Sequence, residues 1–237
     1  MTSLEPLLAL QERDLALDRL RHRRQTLPER ATLAATESTI ALLESELDRA
    51  RAARDEVERE ERKLGDEVQT LADQAQAAER RLYSGEIASP RELQALQADV
   101  SQLRRHQHSV EERQLAAMEQ REPLDARAAE LESELRNSEA AAQEARTALA
   151  SAEGAIDDEM TVESEARGGV AAGLDAALVA DYELRRKKGN GAGAARLVGN
   201  SCQGCHLTIP ATEVDRIRKA PPGTIAYCDN CSCILVP

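Results

Sequence analysis

The chain has 237 residues and a formal net charge of −12, and it contains three Tyr but no Phe and no Trp. Because aromatic side chains carry a large share of core burial, this composition argues against a large globular core. The prevalence of Ala, Leu, Glu, Arg and Gln is typical of long helices that bury a narrow apolar stripe.

The charge is unevenly distributed along the chain. Residues 1–166, which we call the shaft, carry a net charge of −15, and residues 167–237, which we call the head, carry +3. We predict that the shaft is one domain and the head another. The acidic shaft argues against nucleic-acid binding along its length, whereas the head could bind either protein or nucleic acid.

The shaft shows a seven-residue repeat. Apolar residues follow a 3-4 spacing over 40–82 and again over 93–156. A heptad pattern kept over this length predicts a left-handed coiled coil. Polar residues that interrupt the pattern are interpreted as fixing the register: Arg54, Glu61, Gln107, Gln114 and Arg121. The sequence leaves open whether Glu61 pairs with Gln114.

A short connection at 83–90 separates the two repeats. Gly85 can end the first helix in a left-handed conformation, while Ser89 and Pro90 are typical of the cap and first residue of the second. A connection this short predicts an antiparallel hairpin. Capping does not explain the apolar residues Tyr83 and Ile87, which either contact a partner or pack within the tip.

Further breaks are expected on either side of the hairpin. Pro28 and Pro123 each remove a backbone donor, so we expect an interruption or a kink at both. The segment before Pro28 is expected to be helical and to pack near the end of the returning arm. Gly168 and Gly169 should weaken the helix that precedes the head, and residues 189–193 should form a glycine-rich loop.

The head contains the most specific motif of the chain, Cys202-x-x-Cys205 followed by Cys228-x-x-Cys231. Two such pairs about twenty residues apart are typical of a tetrahedral Zn²⁺ site with four sulfur ligands and no open position. We therefore predict one structural zinc ion. Strands are expected at 195–198, 225–227 and 234–236, with a helix from Ala211 and a turn at 221–223, which together form a zinc ribbon.

Two other residues lie close enough in sequence to act as ligands. Cys233 could replace Cys231, although a Cys-x-x-Cys loop directs both sulfurs at one metal better than the longer spacing does. His206 could also bind metal, and the alternative for it is a hydrogen bond within the loop.

This layout resembles a group of bacterial coiled-coil proteins with a C-terminal C4-type zinc ribbon. The resemblance rests on Leu-Tyr-Ser-Gly at 82–85, Ser-Pro-Arg-Glu-Leu-Gln-Ala-Leu at 89–96, Cys-Gln-Gly-Cys-His at 202–206, and the second cysteine pair followed by Ile-Leu-Val at 234–236. It implies a non-enzymatic protein, since the members that are understood are not enzymes. Some members are implicated as chaperone-like partners of an alternative sigma factor and of flagellar or type III export components, and one role proposed is messenger-RNA binding. These partners are implied for this chain only where its host has them. Ser232 and Cys233 depart from the glycine and basic residue that members usually carry after the last ligand.

The leading functional hypothesis is an adaptor or chaperone-like protein that binds a protein partner through the head, the hairpin tip or both. The alternative is RNA or DNA binding by the head through basic residues beside an aromatic. Its candidate contacts are Arg185, Arg186, Lys187, Lys188, Arg196, Arg216, Arg218, Lys219 and Tyr227. For residues 185–188 the competing interpretation is a solvated helix C-terminus favoured by the helix dipole.

An enzymatic function is not expected, since the sequence shows no phosphate-binding loop, nucleophile motif or open metal site. The chain begins without a recognisable signal peptide and has no apolar run long enough to span a bilayer, so we expect a cytoplasmic protein without membrane contact. Five cysteines in a reducing compartment fit metal binding better than disulfides. The sequence does not decide between a monomer and a dimer.

Overall fold

The computed structural model describes residues 4–188, 191–221 and 223–237. Its helices are α1 (Glu5–Gln25), α2 (Pro28–Leu82), α3 (Pro90–Ala172), α4 (Ala176–Lys188) and α5 (Ala211–Lys219). Its strands are β1 (Ala194–Val198), β2 (Ser201–Cys202), β3 (Ala226–Tyr227) and β4 (Ile234–Val236). The predicted glycine-rich loop lies partly outside the described residues, at 189 and 190, and so does Pro222 of the predicted turn.

The helix boundaries follow the local sequence signals at Pro28 and at the hairpin connection. The interruption at Pro28 is confirmed, because α1 ends at Gln25 and Pro28 is the first residue of α2. The hairpin connection is confirmed as well, with α2 ending at Leu82, Gly85 at a φ of 76° and α3 beginning at Pro90. α3 runs through Gly168 and Gly169 and ends just before Gly173.

Of the interruption or kink expected at Pro123, the interruption is absent, because α3 continues through this residue. Proline removes one backbone hydrogen bond from a helix interior. On either side of it, however, α3 buries Ala117, Ala128 and Leu131. Burial of this stripe over many turns outweighs the loss at a single position.

Contacts divide the chain into two compact units. The first comprises Met1–Ala31 and Arg146–Pro237, and the second comprises Thr32–Ala145. Residues 1–31 and 146–166, which we assigned to the shaft on the basis of sequence, thus belong by contact to the unit that contains the ribbon.

The second unit is the antiparallel coiled-coil hairpin that the heptads predict. Ion pairs between its helices join Glu46 to Arg127, Glu61 to Arg121 and Glu79 to Arg104, so residue numbers rise on α2 as they fall on α3. The buried side chains are predicted heptad positions, among them Leu47, Leu64, Leu71, Val110, Ala117, Ala128 and Leu131. The register places Glu61 against Arg121, with 2.7 Å between their charged atoms, which answers the question that the sequence left open.

The first unit is built around a four-stranded sheet with the order β2-β1-β4-β3. β1 pairs in parallel with β4, while the β1–β2 and β3–β4 pairs are antiparallel. One apolar cluster surrounds the cysteines and includes Val214 and Ile217 of α5. A second cluster packs Leu7 and Leu10 of α1 with Tyr182 of α4 against Ile234 and Val236 of β4.

Candidate metal centre

The two cysteine pairs are positioned by two turns of matching geometry. In the first, His206 N–H donates to the carbonyl oxygen of Cys202 at 2.8 Å, and Cys202 N–H donates to the carbonyl of Leu207 at 3.1 Å. In the second, Ser232 N–H donates to the carbonyl of Cys228 at 2.8 Å, and Cys228 N–H donates to that of Cys233 at 3.0 Å. We call these the first and second knuckle.

Both knuckles require a left-handed residue directly after their second cysteine. His206 has a φ of 58° and Ser232 a φ of 60°. This backbone region favours glycine, because any Cβ there is crowded by the following carbonyl. A glycine at position 232, which the family resemblance implies, would adopt this conformation without that crowding.

The four predicted ligand sulfurs converge. The Sγ atoms of Cys202, Cys205, Cys228 and Cys231 all lie within 4.8 Å of one another. Cys202 and Cys231 are 3.8 Å apart, as are Cys205 and Cys228. A tetrahedron with metal–sulfur bonds of about 2.3 Å has edges of about 3.8 Å, so these sulfurs fit a zinc ion with little movement.

The protein environment acts differently on the individual thiols. Burial raises the pKa of Cys228 to about 12. Burial also opposes ionisation of Cys231, but hydrogen bonds from the backbone N–H of Cys233 and from neighbouring thiols lower its pKa to about 7. Zn²⁺ binds thiolates, so metal binding must release protons from the buried ligands and will be weaker at low pH.

The two alternative ligands are placed differently. The side chain of His206 is exposed and does not belong to the converging group. Cys233 is fully buried, with its Sγ 3.2 Å from that of Cys231 and 3.6 Å from that of Cys202. It therefore lies beside the tetrahedron, and burial raises its pKa well above the ordinary value for cysteine.

Most of the basic candidate residues form ion pairs within the chain. Arg186 lies 2.6 Å from Asp18, and Arg196 lies 2.8 Å from Glu5. Arg216 pairs with Glu213, and Lys219 with Asp215. Arg218 instead donates to the carbonyl oxygen of Gly199 at 2.9 Å.

Arg185 and Tyr227 form a compact contact with one acidic residue. The guanidinium carbon of Arg185 lies 4.0 Å from the centre of the Tyr227 ring. Asp181 accepts hydrogen bonds from Arg185 Nε at 3.0 Å and from the Tyr227 hydroxyl at 2.9 Å. The aromatic ring that the nucleic-acid hypothesis invoked is thus already stacked and hydrogen-bonded within the protein.

The two candidate contact residues of the hairpin connection, both in the second unit, differ in their exposure to solvent. Tyr83 is 83% exposed, the highest value among the large apolar side chains in the described part of the chain. Ile87 is half-buried. The tip therefore presents one large aromatic side chain to solvent, beside a second apolar residue that is partly covered.

Sequence reasoning missed a buried polar network that fixes α1 to the ribbon unit. Gln11 Oε1 accepts backbone hydrogen bonds from Gly193 at 2.6 Å and Ala194 at 3.2 Å, and Gln11 Nε2 donates to the carbonyl of Gly191 at 3.0 Å. Asp14 accepts from the hydroxyl of Tyr182 at 2.6 Å. The available signal was that both residues interrupt an apolar face of α1 formed by Leu7, Leu10 and Leu17.

The described helices include none that is long and apolar enough to cross a membrane.

The helical hairpin and the four converging sulfurs together define the chain as a zinc-ribbon protein with a coiled-coil hairpin and one C4-type zinc site.

The chain belongs to the family of CT398-like coiled-coil hairpin domains, whose model matches residues 10–190. The model of the C4-type zinc ribbon domain matches residues 201–235. These two matches confirm the resemblance and the zinc-binding role of the cysteines.

One curated protein and two solved structures illustrate what this chain is similar to. The chain is 28% identical over 233 residues to the uncharacterized protein Rv2229c of Mycobacterium tuberculosis, covering 97% of this chain and 93% of that one. A solved structure from Mycobacterium smegmatis matches with a TM-score of 0.89 at 25% identity, covering 100% of both chains. The structure of CT398 from Chlamydia trachomatis has the same fold, with a TM-score of 0.73 at 17% identity over 98% of this chain and 96% of that one.

Proposed function

We propose that the protein is a non-enzymatic adaptor or chaperone-like protein of the cytoplasm that binds a protein partner. The observation that carries the proposal is the exposure of Tyr83, 83% of which faces solvent at the hairpin connection. Leaving a large aromatic side chain in water loses the free energy that its burial would contribute, and tyrosine is enriched at protein interfaces. A contact with another protein accounts for it.

The chemistry of the metal centre supports a binding role over catalysis. Four thiolates saturate a tetrahedral zinc ion and leave no position for water or substrate. Two of the four sulfurs, those of Cys202 and Cys228, belong to fully buried residues. The zinc therefore stabilises the ribbon surface that a partner would contact and does not activate a reactant.

The charge arrangement favours protein over nucleic acid as the partner. Arg186, Arg196, Arg216 and Lys219 each face a carboxylate of the same chain. Nucleic-acid binding gains free energy when cationic side chains displace counterions from the phosphates, and a cation that is already paired within the protein contributes less to this gain.

Site-specific photocrosslinking tests the proposal. A photoreactive phenylalanine analogue would replace Tyr83 in the native host, and the matched control would carry it at Leu42, an apolar residue of the same unit that is 68% exposed. We expect a discrete protein crosslink from position 83 and none from position 42. Equal crosslinking from both positions, or from neither, would refute docking at the tip.

The contribution of the ribbon is measured with the double substitution Cys202→Ser/Cys205→Ser in the chain that carries the crosslinker. A crosslink that survives loss of zinc assigns recognition to the tip alone. A crosslink that disappears, while the hairpin stays helical by circular dichroism, shows that the partner also needs the ribbon.

Nucleic-acid binding is the second candidate, and Lys187 and Lys188 favour it. Both are exposed in the last turn of α4, and neither has a carboxylate partner among the described residues. Binding of RNA to the zinc-loaded protein should then weaken with salt and with Lys187→Gln/Lys188→Gln, whereas Lys63→Gln on the hairpin should have no effect. An affinity for RNA that does not change with salt concentration would rule out electrostatic binding through these lysines.

A further inference from the structure

Five thiols are gathered at the metal centre, although a C4-type site uses four. The Sγ atom of Cys233, a residue with no exposed surface, lies 3.2 Å from that of Cys231 and 3.6 Å from that of Cys202. Cys202 and Cys231 are themselves 3.8 Å apart. These three sulfurs form a closed triangle that shares its Cys202–Cys231 edge with the zinc tetrahedron.

The triangle has the size of a three-coordinate metal site. The point equidistant from its corners lies about 2.1 Å from each sulfur. Since metal–thiolate bonds are about 2.3 Å long, an ion bound to all three sulfurs would lie about 1 Å out of their plane. No large movement of the sulfurs is required to form such a site.

We propose that Cys202, Cys231 and Cys233 form a second metal site, selective for Cu(I), in which Cys202 and Cys231 bridge the copper and the zinc ion. Thiolate is a soft ligand, and Cu(I) is the soft monovalent ion for which thiolates are selective. Cys233 is the residue that distinguishes this site from the ordinary four-cysteine ribbon.

Charge balance favours a monovalent ion. Zn²⁺ with four thiolates carries two negative charges. When Cu⁺ binds, Cys233 loses its proton to solvent and its new negative charge is cancelled by the copper, so the net charge of the centre is unchanged. A divalent ion in the same position would alter the charge of a buried group, which costs free energy.

The surroundings of Cys233 are apolar and close-packed. It belongs to the cluster that contains Ala195, Leu197 and Leu235. Gly204 covers the site from the first knuckle, since a Cβ atom added there would lie 3.5 Å from Cys233 Sγ and 3.0 Å from Ala195 Cβ. Such packing excludes water, and the half-buried Cys231 provides the side from which an ion can enter.

The test uses the full-length, zinc-loaded protein, titrated with Cu(I) as its acetonitrile complex under anaerobic conditions. After desalting, zinc and copper are quantified by mass spectrometry. We expect the wild type to retain one copper and one zinc per chain. Copper that displaces the zinc, or copper that is washed away, would overturn the proposal.

The matched variants are Cys233→Ser and Cys233→Ala, which leave the four zinc ligands in place. Both are expected to retain zinc, which reports that the ribbon is folded, and to lose the copper. Retention of copper equal to that of the wild type would refute the role of Cys233. X-ray absorption at the copper edge of the wild-type protein is a test independent of the variants, because it reports the atoms around the copper. The proposal requires three sulfur neighbours and a nearby zinc ion, and a different set of neighbours would contradict it.

Discussion

The hydroxyl of Tyr182 donates a 2.6 Å hydrogen bond to Oδ2 of Asp14, joining residues that are 168 positions apart in sequence. Both side chains are buried. The other carboxylate oxygen of Asp14 lies 2.7 Å from Arg167 and 3.4 Å from Arg186. One buried carboxylate thus holds α1, α3 and α4 together next to the ribbon.

Asp14→Asn should destabilise the attachment of α1, because it leaves two largely buried guanidinium groups without their shared carboxylate. Arg167 keeps Glu183 and Arg186 keeps Asp18, so neither charge is left unpaired and the substitution should cost about 2 kcal/mol, whereas Tyr182→Phe should cost about 1 kcal/mol. Native-state hydrogen exchange of the α1 amides measures both changes. The control is Arg59→Ala, which breaks an exposed pair with Glu56 and should cost less than about 1 kcal/mol. Unchanged exchange in the Asp14 variant would contradict this assignment.

Stability should fall at high pH through Tyr182. Burial and the hydrogen bond to Asp14 raise the pKa of Tyr182 well above its ordinary value. An unfolded tyrosine ionises near pH 10, so above about pH 10 the unfolded state binds fewer protons than the folded state, and folding free energy is lost as the pH rises.

The measurement is the free energy of exchange of the α1 amides between pH 9 and pH 11, compared in wild type and Tyr182→Phe. The wild-type curve should fall more steeply above pH 10, by up to about 1.4 kcal/mol per pH unit. Parallel curves would show that Tyr182 does not control this dependence.

Removal of zinc should unfold the ribbon and loosen α1 while leaving the hairpin unit intact. So few ribbon residues cannot bury enough apolar surface to fold without the metal. Leu7 and Leu10 of α1 should also lose protection, because they pack against Ile234 and Val236 of β4.

Hydrogen exchange before and after treatment with a chelator checks this coupling. After chelation, amides of 194–236 and of α1 should exchange faster than in the zinc-loaded protein, while those around Leu64 should be unaffected. Added zinc should restore the slow exchange. A ribbon that stays protected without metal would show that its apolar packing is sufficient.

The sequence was most informative where one local signal determined the structure. Gly85 located the end of α2 and Pro90 the start of α3, and the heptads identified buried residues such as Leu64 and Leu131. The spacing of the cysteines identified four sulfurs that the structure brings together. Each of these inferences depends on residues close together in the chain or on an exact repeat.

What the sequence did not reveal depends on contacts between distant segments. Gln11 contacts the backbone at 193 and 194, and nothing local indicates that partner. β2 is only two residues long and exists because it pairs with β1. Pro123 has a strong local preference against a helix interior, but packing along the whole of α3 overrides it.

Core packing of the hairpin should make position 131 far more sensitive than position 115, although both are leucines of α3. Leu131 is 1% exposed and Leu115 is 59% exposed. Leu131→Ala should cost about 2–5 kcal/mol, because it removes apolar contacts and leaves a cavity, while Leu115→Ala should change the free energy of unfolding by less than about 0.5 kcal/mol. Urea unfolding followed by circular dichroism measures both. Equal losses would indicate that Leu115 is buried in solution.

Ser232→Gly should strengthen zinc binding, because Ser232 has a φ of 60° in the second knuckle. Adopting this conformation costs a residue with a Cβ atom about 1 kcal/mol, and glycine removes that cost. The greater freedom of glycine in the unfolded chain offsets part of the stabilisation. The expected result is a several-fold slower loss of zinc to a competing chelator. Ser201→Gly is the matched control, since Ser201 lies in β2 with no such constraint, and it should hold zinc no better than wild type. If both glycine variants behaved alike, relief of backbone strain at position 232 would not be the cause.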